Sequence, residues 1–537
     1  MRGGSPGRPP IGLSIATKPV MTSRQALDTA ILIAATALTR FVFRSHYLYD
    51  IDSVNFALAL KRFDPSVHQP HPPGYFLYVC LGRLANLLFH DANAALVGIG
   101  IVFSCGAVAM IYVLAHHWFG RNAALFAGLI FLFSPLAWFH GTVALTYIVE
   151  AFFSALTGYL CWRIYCGEAR FILPGAMVLG VAAGFRPSSL LLLGPLLLYS
   201  FRNANRKRAA AGIGALALTL LAWFIPMIGI GGGRPYLSSL VSLWLAVPSR
   251  GTVFNSSVFN SLVRAATILG IYFLCFGFAA ILPLRARSGD SSGGRPKTVF
   301  TLVWIGPGLF FFTFIYLKFV NSGYLLALAP PACAWMGLWA STWYASIHWP
   351  RALKIVAIGG CAAANTLVFV CAPVYCSYGA VRRFEAELRN IIEVLPQIAS
   401  PRDSLIVGFD SHFLGYRHAG YYLPDYLTVQ FPEVQLASGK RVFAMQDRDT
   451  WLERGLPATA VHNFILFPLP LGASEYSDYM ALVRKRFPAG ELRTAMLGGH
   501  EFAIGPIVDL GVLFPDDVRG QTRARAVTTA TPLVNSR

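Results

Sequence analysis

The sequence predicts an all-α polytopic membrane domain with about eleven transmembrane helices, followed by a C-terminal extracytoplasmic α/β domain. Three observations predict this fold class: an apolar composition, a series of long apolar runs, and a change of pattern near Val381. Of the 537 residues, 55% are hydrophobic and 13% are charged, and the mean hydropathy is +0.55. This composition is typical of integral membrane proteins and excludes an ordinary soluble protein.

The apolar runs define the membrane domain, because about 20 apolar residues are needed to cross about 30 Å of hydrocarbon. The first run, 26–43, follows four basic residues and no acidic one, which favours a signal anchor behind a cytoplasmic segment, 1–25. The other predicted spans are 95–115, 122–140, 142–162, 167–184, 188–201, 209–229, 259–283, 298–317, 323–346 and 352–373. An odd number of spans places the two termini on opposite sides of the membrane.

The basic residues indicate the orientation. Loops that this arrangement places in the cytoplasm hold 17 Lys and Arg, whereas the short loops on the other side hold seven. This bias is the positive-inside pattern, and it accounts for the net charge of +19 without a nucleic-acid partner. We predict a bacterial plasma (inner) membrane protein, with a domain over 26–375 that carries an outer loop, 44–94.

The segment 75–89 is apolar, but it is short for a span and contains Arg83. Counting it as a span would invert every later loop and place the basic cluster 202–208 outside. We therefore predict an amphipathic helix that lies in the outer interface.

The pattern changes near Val381, where apolar residues recur at the spacing of an amphipathic helix. Short strand-like runs follow and alternate with a helical stretch, 474–487, which predicts a periplasmic α/β domain over 376–516. The tail, 517–537, is rich in Thr and Arg and is predicted to be disordered. The predicted strands are 404–409, 426–431, 441–445, 464–467 and 501–504.

Two carboxylates, Asp50 and Asp52, stand where the chain leaves the first span. A carboxylate at this position could have a catalytic or ligand-binding role. Asp52 also precedes the apolar-periodic stretch 53–62 and could instead cap that helix. Both interpretations stay open for Asp52, and capping is favoured for Asp50.

Further along the loop, His71-Pro-Pro-Gly-Tyr75 imposes an extended backbone that is released at the glycine. His68 and His71 form an H-x-x-H pair, but the prolines exclude the helical geometry of zinc proteases. His71 is interpreted as a turn residue or a substrate contact. We predict no cofactor, and no sequence pattern supports a divalent metal.

These motifs, in this order, resemble the GT-C glycosyltransferases, and above all the protein mannosyltransferase and aminoarabinose transferase group with related HPPGY-containing membrane proteins. The likeness covers roughly residues 26–375. The matching motifs are Asp52-Ser-Val-Asn-Phe56, His71-Pro-Pro-Gly-Tyr-Phe-Leu-Tyr78, Phe133-Ser-Pro135, Gly184-Phe-Arg-Pro187, Ile225-Pro226 with Gly231-Gly-Gly233, and Gly323-Tyr-Leu-Leu326.

The resemblance implies a polyprenyl-phosphate-linked sugar as donor, a lipid, glycan or protein as acceptor, transfer on the outer face, and inversion. Asp52 would then be the general base. The leaving phosphate needs a cation, for which Arg186 is the first candidate and Lys318 and Arg234 are the next. Each of these could instead anchor the chain at the interface.

Further candidates for substrate contact are Tyr75 and Glu150, which lies within the fourth predicted span. An intramembrane carboxylate is functional by default, although pairing with an Arg on a neighbouring helix explains Glu150 equally well. The polar stretch 408–422 is either a sugar-binding surface or a set of turn-forming residues.

Two other function classes stay open. A transporter or lipid flippase would explain many helices and buried charges, yet such proteins often show paired broken helices in two repeated halves. The sequence has one such break, at 184–187, and transport does not require the long outer loop. A non-catalytic scaffold or sensor with an outer binding domain is the third reading.

Overall fold

The structure is a computed structural model that describes residues 22–249, 257–285, 294–315, 319–408, 412–430, 434–435, 441–442, 463–466, 493–497 and 500–506. The predicted helix 474–487, the tail 517–537 and Lys318 lie outside these described residues. What is described is mostly helical, as the composition predicted. The α-helices are α1 (Ser23–Val42), α2 (Ile51–Lys61), α3 (Phe76–Phe89), α4 (Ala92–Phe119), α5 (Arg121–Leu132), α6 (Pro135–His140), α7 (Tyr147–Tyr165), α8 (Ile172–Phe185), α9 (Ser188–Ser200), α10 (Arg206–Ile230), α11 (Arg234–Ser249), α12 (Val258–Phe276), α13 (Gly294–Phe310), α14 (Ala329–Ser346), α15 (Arg351–Cys371), α16 (Tyr378–Ile398) and α17 (Tyr416–Tyr422).

Six stretches of helix in the described ranges are long and apolar enough to cross a membrane. They are Ser23–Val42, Ala92–Phe119, Arg206–Ile230, Val258–Pro283, Gly294–Ile315 and Arg351–Cys371. A seventh span results if Phe319–Ala327 and Ala329–Ser346, which meet at a bend of 70°, are counted together. Integral membrane character is therefore confirmed, and the count of eleven stays a prediction.

The other predicted spans coincide with shorter or more polar helices. The run 122–140 is divided between α5 and α6, because Ser134 caps α6 and Pro135 begins it. The runs 167–184 and 188–201 correspond to α8 and α9, of 14 and 13 residues, which are separated at Arg186-Pro187. Hydropathy alone counted these elements as full spans because it does not register where a proline ends a helix.

The segment 75–89 forms a helix, α3, as predicted. Its buried residues, Tyr78, Val79 and Gly82, face the protein, and Gly82 lets the side chain of Leu60 on α2 approach closely. Four large apolar residues on the rest of α3 are exposed, namely Leu84, Leu87, Leu88 and Phe89. The helix therefore has one face buried against the protein and another face with exposed apolar side chains, which agrees with a position at a membrane surface.

The C-terminal region begins with α16, which confirms the predicted amphipathic helix and buries Leu388, Ile391 and Leu395. A five-stranded sheet follows in the order β2-β1-β5-β7-β6, in which β1 pairs in parallel with β2 and β5, and β7 pairs antiparallel with β5 and β6. The strands are β1 (Ser404–Gly408), β2 (Leu427–Gln430), β3 (Val434–Gln435), β4 (Arg441–Val442), β5 (Asn463–Leu466), β6 (Arg493–Leu497) and β7 (His500–Pro506). All five predicted strands overlap an observed one, whereas β3, β6 and α17 were not predicted.

The C-terminal region is bound to the loop that follows α1. The hydroxyl of Tyr422 accepts a hydrogen bond from the backbone N–H of Leu48 at 2.7 Å. The carboxylate of Glu385 accepts one from the N–H of His46 at 2.5 Å, and Arg417 donates to the carbonyl of Val67 at 2.7 Å. Contacts distant in sequence therefore fix the start of α2, where both candidate carboxylates lie.

Candidate active site

The N-terminus of α2 assigns different roles to its two carboxylates. Asp50 is the N-cap, with extended backbone angles of φ −107° and ψ 155°, and its Oδ1 accepts the backbone N–H of Asp52 at 2.9 Å. Asp52 lies within the first turn of the helix. The capping alternative for Asp52 is thus wrong, and the capping role favoured for Asp50 is confirmed.

Asp50 is only 6% exposed, and its Oδ2 lies 3.5 Å from Nδ1 of His412 in the C-terminal region. Burial raises the pKa of Asp50, and the charge of Asp52 raises it further, while His412 opposes both effects. Asp50 is therefore engaged by the helix backbone and by His412, and it is poorly placed to take a proton from an external hydroxyl.

Asp52 points to the HPPGY loop. Its Oδ1 is 3.2 Å from Nδ1 of His71, and the Nε2 of His71 lies 3.1 Å from the hydroxyl of Tyr75. The Asp52 side chain keeps 26% of its surface exposed, so the carboxylate remains reachable from outside. An ionised carboxylate favours the tautomer with its proton on Nδ1, which leaves Nε2 to accept from the Tyr75 hydroxyl.

The loop conformation depends on Gly74 and Tyr75. Gly74 has φ +108°, and Tyr75 has φ +46°, a left-handed conformation that is uncommon for an aromatic residue. Packing holds Tyr75 there, with its ring centroid 5.2 Å from that of Phe56. Strained backbone of this kind tends to occur at functional sites, where the surroundings over-determine it.

Arg186 and Glu150 form a buried ion pair next to the ring of Tyr75. Nε of Arg186 lies 2.7 Å from Oε2 of Glu150, and the Arg186 residue is 3% exposed. The guanidinium carbon is 4.0 Å and 4.5 Å from the ring centroids of Tyr147 and Tyr324. The interface-anchor interpretation of Arg186 is therefore wrong, because its charge is enclosed, whereas the alternative of an arginine partner for Glu150 is confirmed.

Tyr75 contacts both the pair of Asp52 and His71 and the pair of Arg186 and Glu150. Its ring centroid is 5.8 Å from the guanidinium carbon of Arg186, while its hydroxyl contacts His71. One continuous group therefore runs from Asp52 through His71 and Tyr75 to Arg186. The arrangement links a partly exposed carboxylate, through His71 and Tyr75, to a buried cation lined with phenol groups.

Several members of this group were missed from the sequence. Tyr324 packs on Arg186, and the amide of Asn321 donates to the Tyr147 hydroxyl at 3.2 Å. Gly323 permits this approach, because a Cβ there would lie 2.3 Å from Cγ of Tyr147. The Gly323-Tyr-Leu-Leu326 motif was the one signal that could have identified them. His412 was noted only within the polar stretch 408–422.

Two predicted cations do not join this group. Lys318 lies outside the described residues, so its predicted contact stays a prediction. Arg234 is exposed at the start of α11, after a glycine turn, and no hydrogen bond or ion pair among the described residues links it to Asp52 or Arg186. The described residues contain no cluster of three or more His, Cys, Asp and Glu that could hold a metal ion.

Comparisons with known proteins agree with this architecture. Residues 65–209 match the family described as protein O-mannosyl-transferase TMEM260 N-terminal domain. ArnT from Cupriavidus metallidurans, solved with undecaprenyl phosphate, has a TM-score of 0.57 at 14% identity, over 90% of this chain and 98% of that one. The apo form of ArnT gives a TM-score of 0.55 with the same identity and coverage. No curated protein sequence matches significantly.

The match to ArnT extends over nearly the whole of both chains, so it concerns the overall architecture and not an isolated helix pair. The family match includes the HPPGY loop, α3 and Arg186, and thus most of the group around Tyr75. At 14% identity the likeness to ArnT shows the fold alone. The chain therefore has the fold of the GT-C membrane glycosyltransferases, as the order of its sequence motifs predicted.

Proposed function

We propose that this protein is a GT-C-type glycosyltransferase that moves a sugar from a polyprenyl-phosphate donor to an acceptor on the extracytoplasmic face of the membrane, with inversion. The GT-C fold supports this proposal, as does the undecaprenyl phosphate bound in ArnT. The observation that carries it is the position of Asp52. Its carboxylate is partly exposed and paired with His71. It does not cap α2, because Asp50 does so.

In the proposed step, Asp52 takes the proton of an acceptor hydroxyl while that oxygen attacks the anomeric carbon. The bond between the anomeric carbon and the phosphate oxygen breaks, and the phosphate leaves with the bonding electrons. One displacement of this kind inverts the configuration of the sugar. His71 positions the carboxylate, because its Nδ1 lies 3.2 Å from Oδ1 of Asp52.

Arg186 is the proposed partner of the leaving phosphate. Glu150 already balances its charge, so stabilisation would come from directed hydrogen bonds of the guanidinium and the surrounding phenols more than from a free positive charge. Tyr75, Tyr147 and Tyr324 each place a ring within 6 Å of the guanidinium carbon. Such preorganised donors are most effective in a site that excludes water.

The finer topology belongs to the same proposal. It has eleven spans, a cytoplasmic segment 1–25, a membrane domain 26–375 and an extracytoplasmic domain 376–516, in a bacterial inner membrane. The strong Lys and Arg bias between the two sets of loops supports this orientation. The family match makes mannosyl transfer to a protein hydroxyl the first reaction to test.

The test uses full-length protein in proteoliposomes with a radiolabelled polyprenyl-phosphate mannose and hydroxyl-bearing acceptor peptides. Wild type should release polyprenyl phosphate, and Asp52→Asn should lower turnover by about 10²- to 10⁴-fold, since that is the usual contribution of a general base. Asp91→Asn is the matched control, because Asp91 caps α4 in the same outer loop and asparagine also caps. Unchanged turnover in Asp52→Asn would refute the assignment. Absence of donor turnover across a panel of sugars in wild type would favour a transporter or scaffold.

A further inference from the structure

A pocket that is partly open to the surface, here called the chamber, lies at the far end of α2. It has a volume of about 550 Å³ and lies between the C-terminus of α2, the middle of α3 and the turn that joins α10 to α11. Lys61 follows Asp52 by nine residues on α2, a rise of about 14 Å. The chamber is thus at the opposite end of α2 from Asp52, although its lining residue Phe63 packs near Gly74, where a Cβ would lie 3.6 Å from Cζ of Phe63.

The chamber carries an excess of positive charge. Lys61, Arg62 and Arg83 line it together with one carboxylate, Asp64, which leaves a net charge of two. Oδ2 of Asp64 accepts from Arg62 at 2.7 Å, and its Oδ1 accepts from the N–H and hydroxyl of Ser66 at 3.2 Å and 2.6 Å. Asp64 is therefore committed to its own turn and to one arginine, while Nζ of Lys61 lies 5.8 Å from the ring centroid of Tyr421.

Arg83 offsets the partial negative charge at the C-terminus of α2, which would otherwise repel a bound anion. The last carbonyls of a helix carry partial negative charge, which repels anions. Arg83 donates to the carbonyls of Ala59 and Leu60 at 3.0 Å each, and so neutralises the end of α2 that faces the chamber. On the opposite wall α11 begins after Gly231-Gly-Gly233, and a helix N-terminus attracts anions. The glycines contribute backbone without side chains, which leaves the space open.

Part of the rim of the chamber is apolar. Ile230, at the end of the span α10, lines the chamber and is 56% exposed. On α3, which contributes Arg83 to the lining, the exposed Leu84, Leu87 and Leu88 lie one, four and five residues beyond Arg83. In a membrane protein, exposed side chains of this kind contact lipid chains. Basic residues next to an apolar rim complement an amphiphile with an anionic headgroup. A soluble anion would gain no binding free energy from the apolar rim.

We propose that this chamber binds the phosphate headgroup of an anionic lipid from the leaflet beside α2 and α3, with the lipid chains lying along Ile230 and the exposed leucines of α3. The site does not depend on sugar transfer. It would hold a lipid against the helix that carries Asp52, and so couple the outer loop to the membrane surface.

Native mass spectrometry of the full-length protein in detergent tests the proposal, with dioleoyl phosphatidylglycerol and dioleoyl phosphatidylcholine as probes. Basic residues near an anionic lipid each contribute about a fivefold gain in affinity, so Lys61→Gln/Arg62→Gln should weaken binding of the tightest phosphatidylglycerol about 30-fold. The control, Arg206→Gln/Lys207→Gln, removes two exposed charges from the opposite end of α10 and should bind as wild type does. Phosphatidylcholine binding should be equal in all three proteins.

Two further arms identify the source of the phosphate. Ile230→Asn should weaken phosphatidylglycerol binding, because it alters only the apolar rim, and millimolar inorganic phosphate should fail to displace the lipid. Equal phosphatidylglycerol affinity in wild type and Lys61→Gln/Arg62→Gln overturns the site. Full displacement by inorganic phosphate overturns its assignment to a lipid. The thermal unfolding midpoint of each variant verifies that the fold is retained, and the binding comparison uses variants that pass this criterion.

Discussion

The buried pair of Arg186 and Glu150 gives the sharpest prediction, because its members respond differently to loss of the partner. Nε and Oε2 are 2.7 Å apart, and both side chains are under 5% exposed. Glu150→Gln leaves an arginine that stays charged, so we expect the full cost of an unpaired buried charge, about 3–5 kcal/mol. Arg186→Gln leaves a carboxyl that can take up a proton, and Ser188 still donates to it at 2.7 Å. This second variant should therefore lose less stability.

The free energy of unfolding in mixed micelles measures both single variants and the double variant. We expect the double variant to lose about 0.5–3 kcal/mol less than the sum of the single losses, as is usual for contacting residues. Ser188→Ala is the control, since it removes a hydrogen bond to Glu150 without changing any charge, at about 1.5–3 kcal/mol. Additive losses, or a larger loss for Arg186→Gln than for Glu150→Gln, would show that the pair does not stabilise the site as described. Donor turnover should be lower in Arg186→Gln even at temperatures where it is folded.

Three further perturbations test the surroundings of the site. Gly323→Ala places a Cβ 2.3 Å from Cγ of Tyr147 and should cost about 1–3 kcal/mol of stability by overpacking. The control is Gly359→Ala, where a Cβ meets nothing within 4 Å, and it should be neutral or stabilising by up to about 1 kcal/mol. Equal thermal unfolding midpoints for the two variants would contradict this. Asp50→Ala should cost about 1 kcal/mol through loss of the cap, and Asp50→Asn much less; equal losses in chemical denaturation would exclude capping. Burial lowers the pKa of His418 from 6.5 to about 4, so the folded state favours neutral His418, and stability should fall as pH drops from 6.5 to 4, by at most about 3 kcal/mol. Hydrogen exchange of the 45–52 backbone should report this loss, and His418→Gln should abolish it.

The sequence specifies much of this fold through local patterns. The spacing of Phe384, Leu388 and Leu395 determines α16, because that helix buries one face. The motif order also predicted the GT-C fold without any long-range information. The span count depends on where prolines end helices and on how a helix is covered by its neighbours, which hydropathy alone does not encode.

The site was predictable in part. Asp52 was identified, but two aspartates separated by one residue offer two possible caps, and only the extended backbone at Asp50 decides between them. The contact of Asn321 with Tyr147 joins residues 174 positions apart. No periodicity encodes such a contact, because it depends on how separate helices pack. Arg186 was found because a charge between two apolar runs is unusual.

The hydrogen bonds that join the loop after α1 to the C-terminal region also bear on the order of assembly. His46 and Leu48 emerge early from the ribosome, whereas their partners Glu385 and Tyr422 follow 339 and 374 residues later. At about 5–20 residues per second, translation leaves a delay on the order of 20–70 s. During that interval the backbone around Asp52 lacks its final contacts, even if the early spans are already inserted. The nascent chain can therefore complete the contacts of the loop after α1 only late in its synthesis, and a chain that stops before 385 would lack both of these hydrogen bonds.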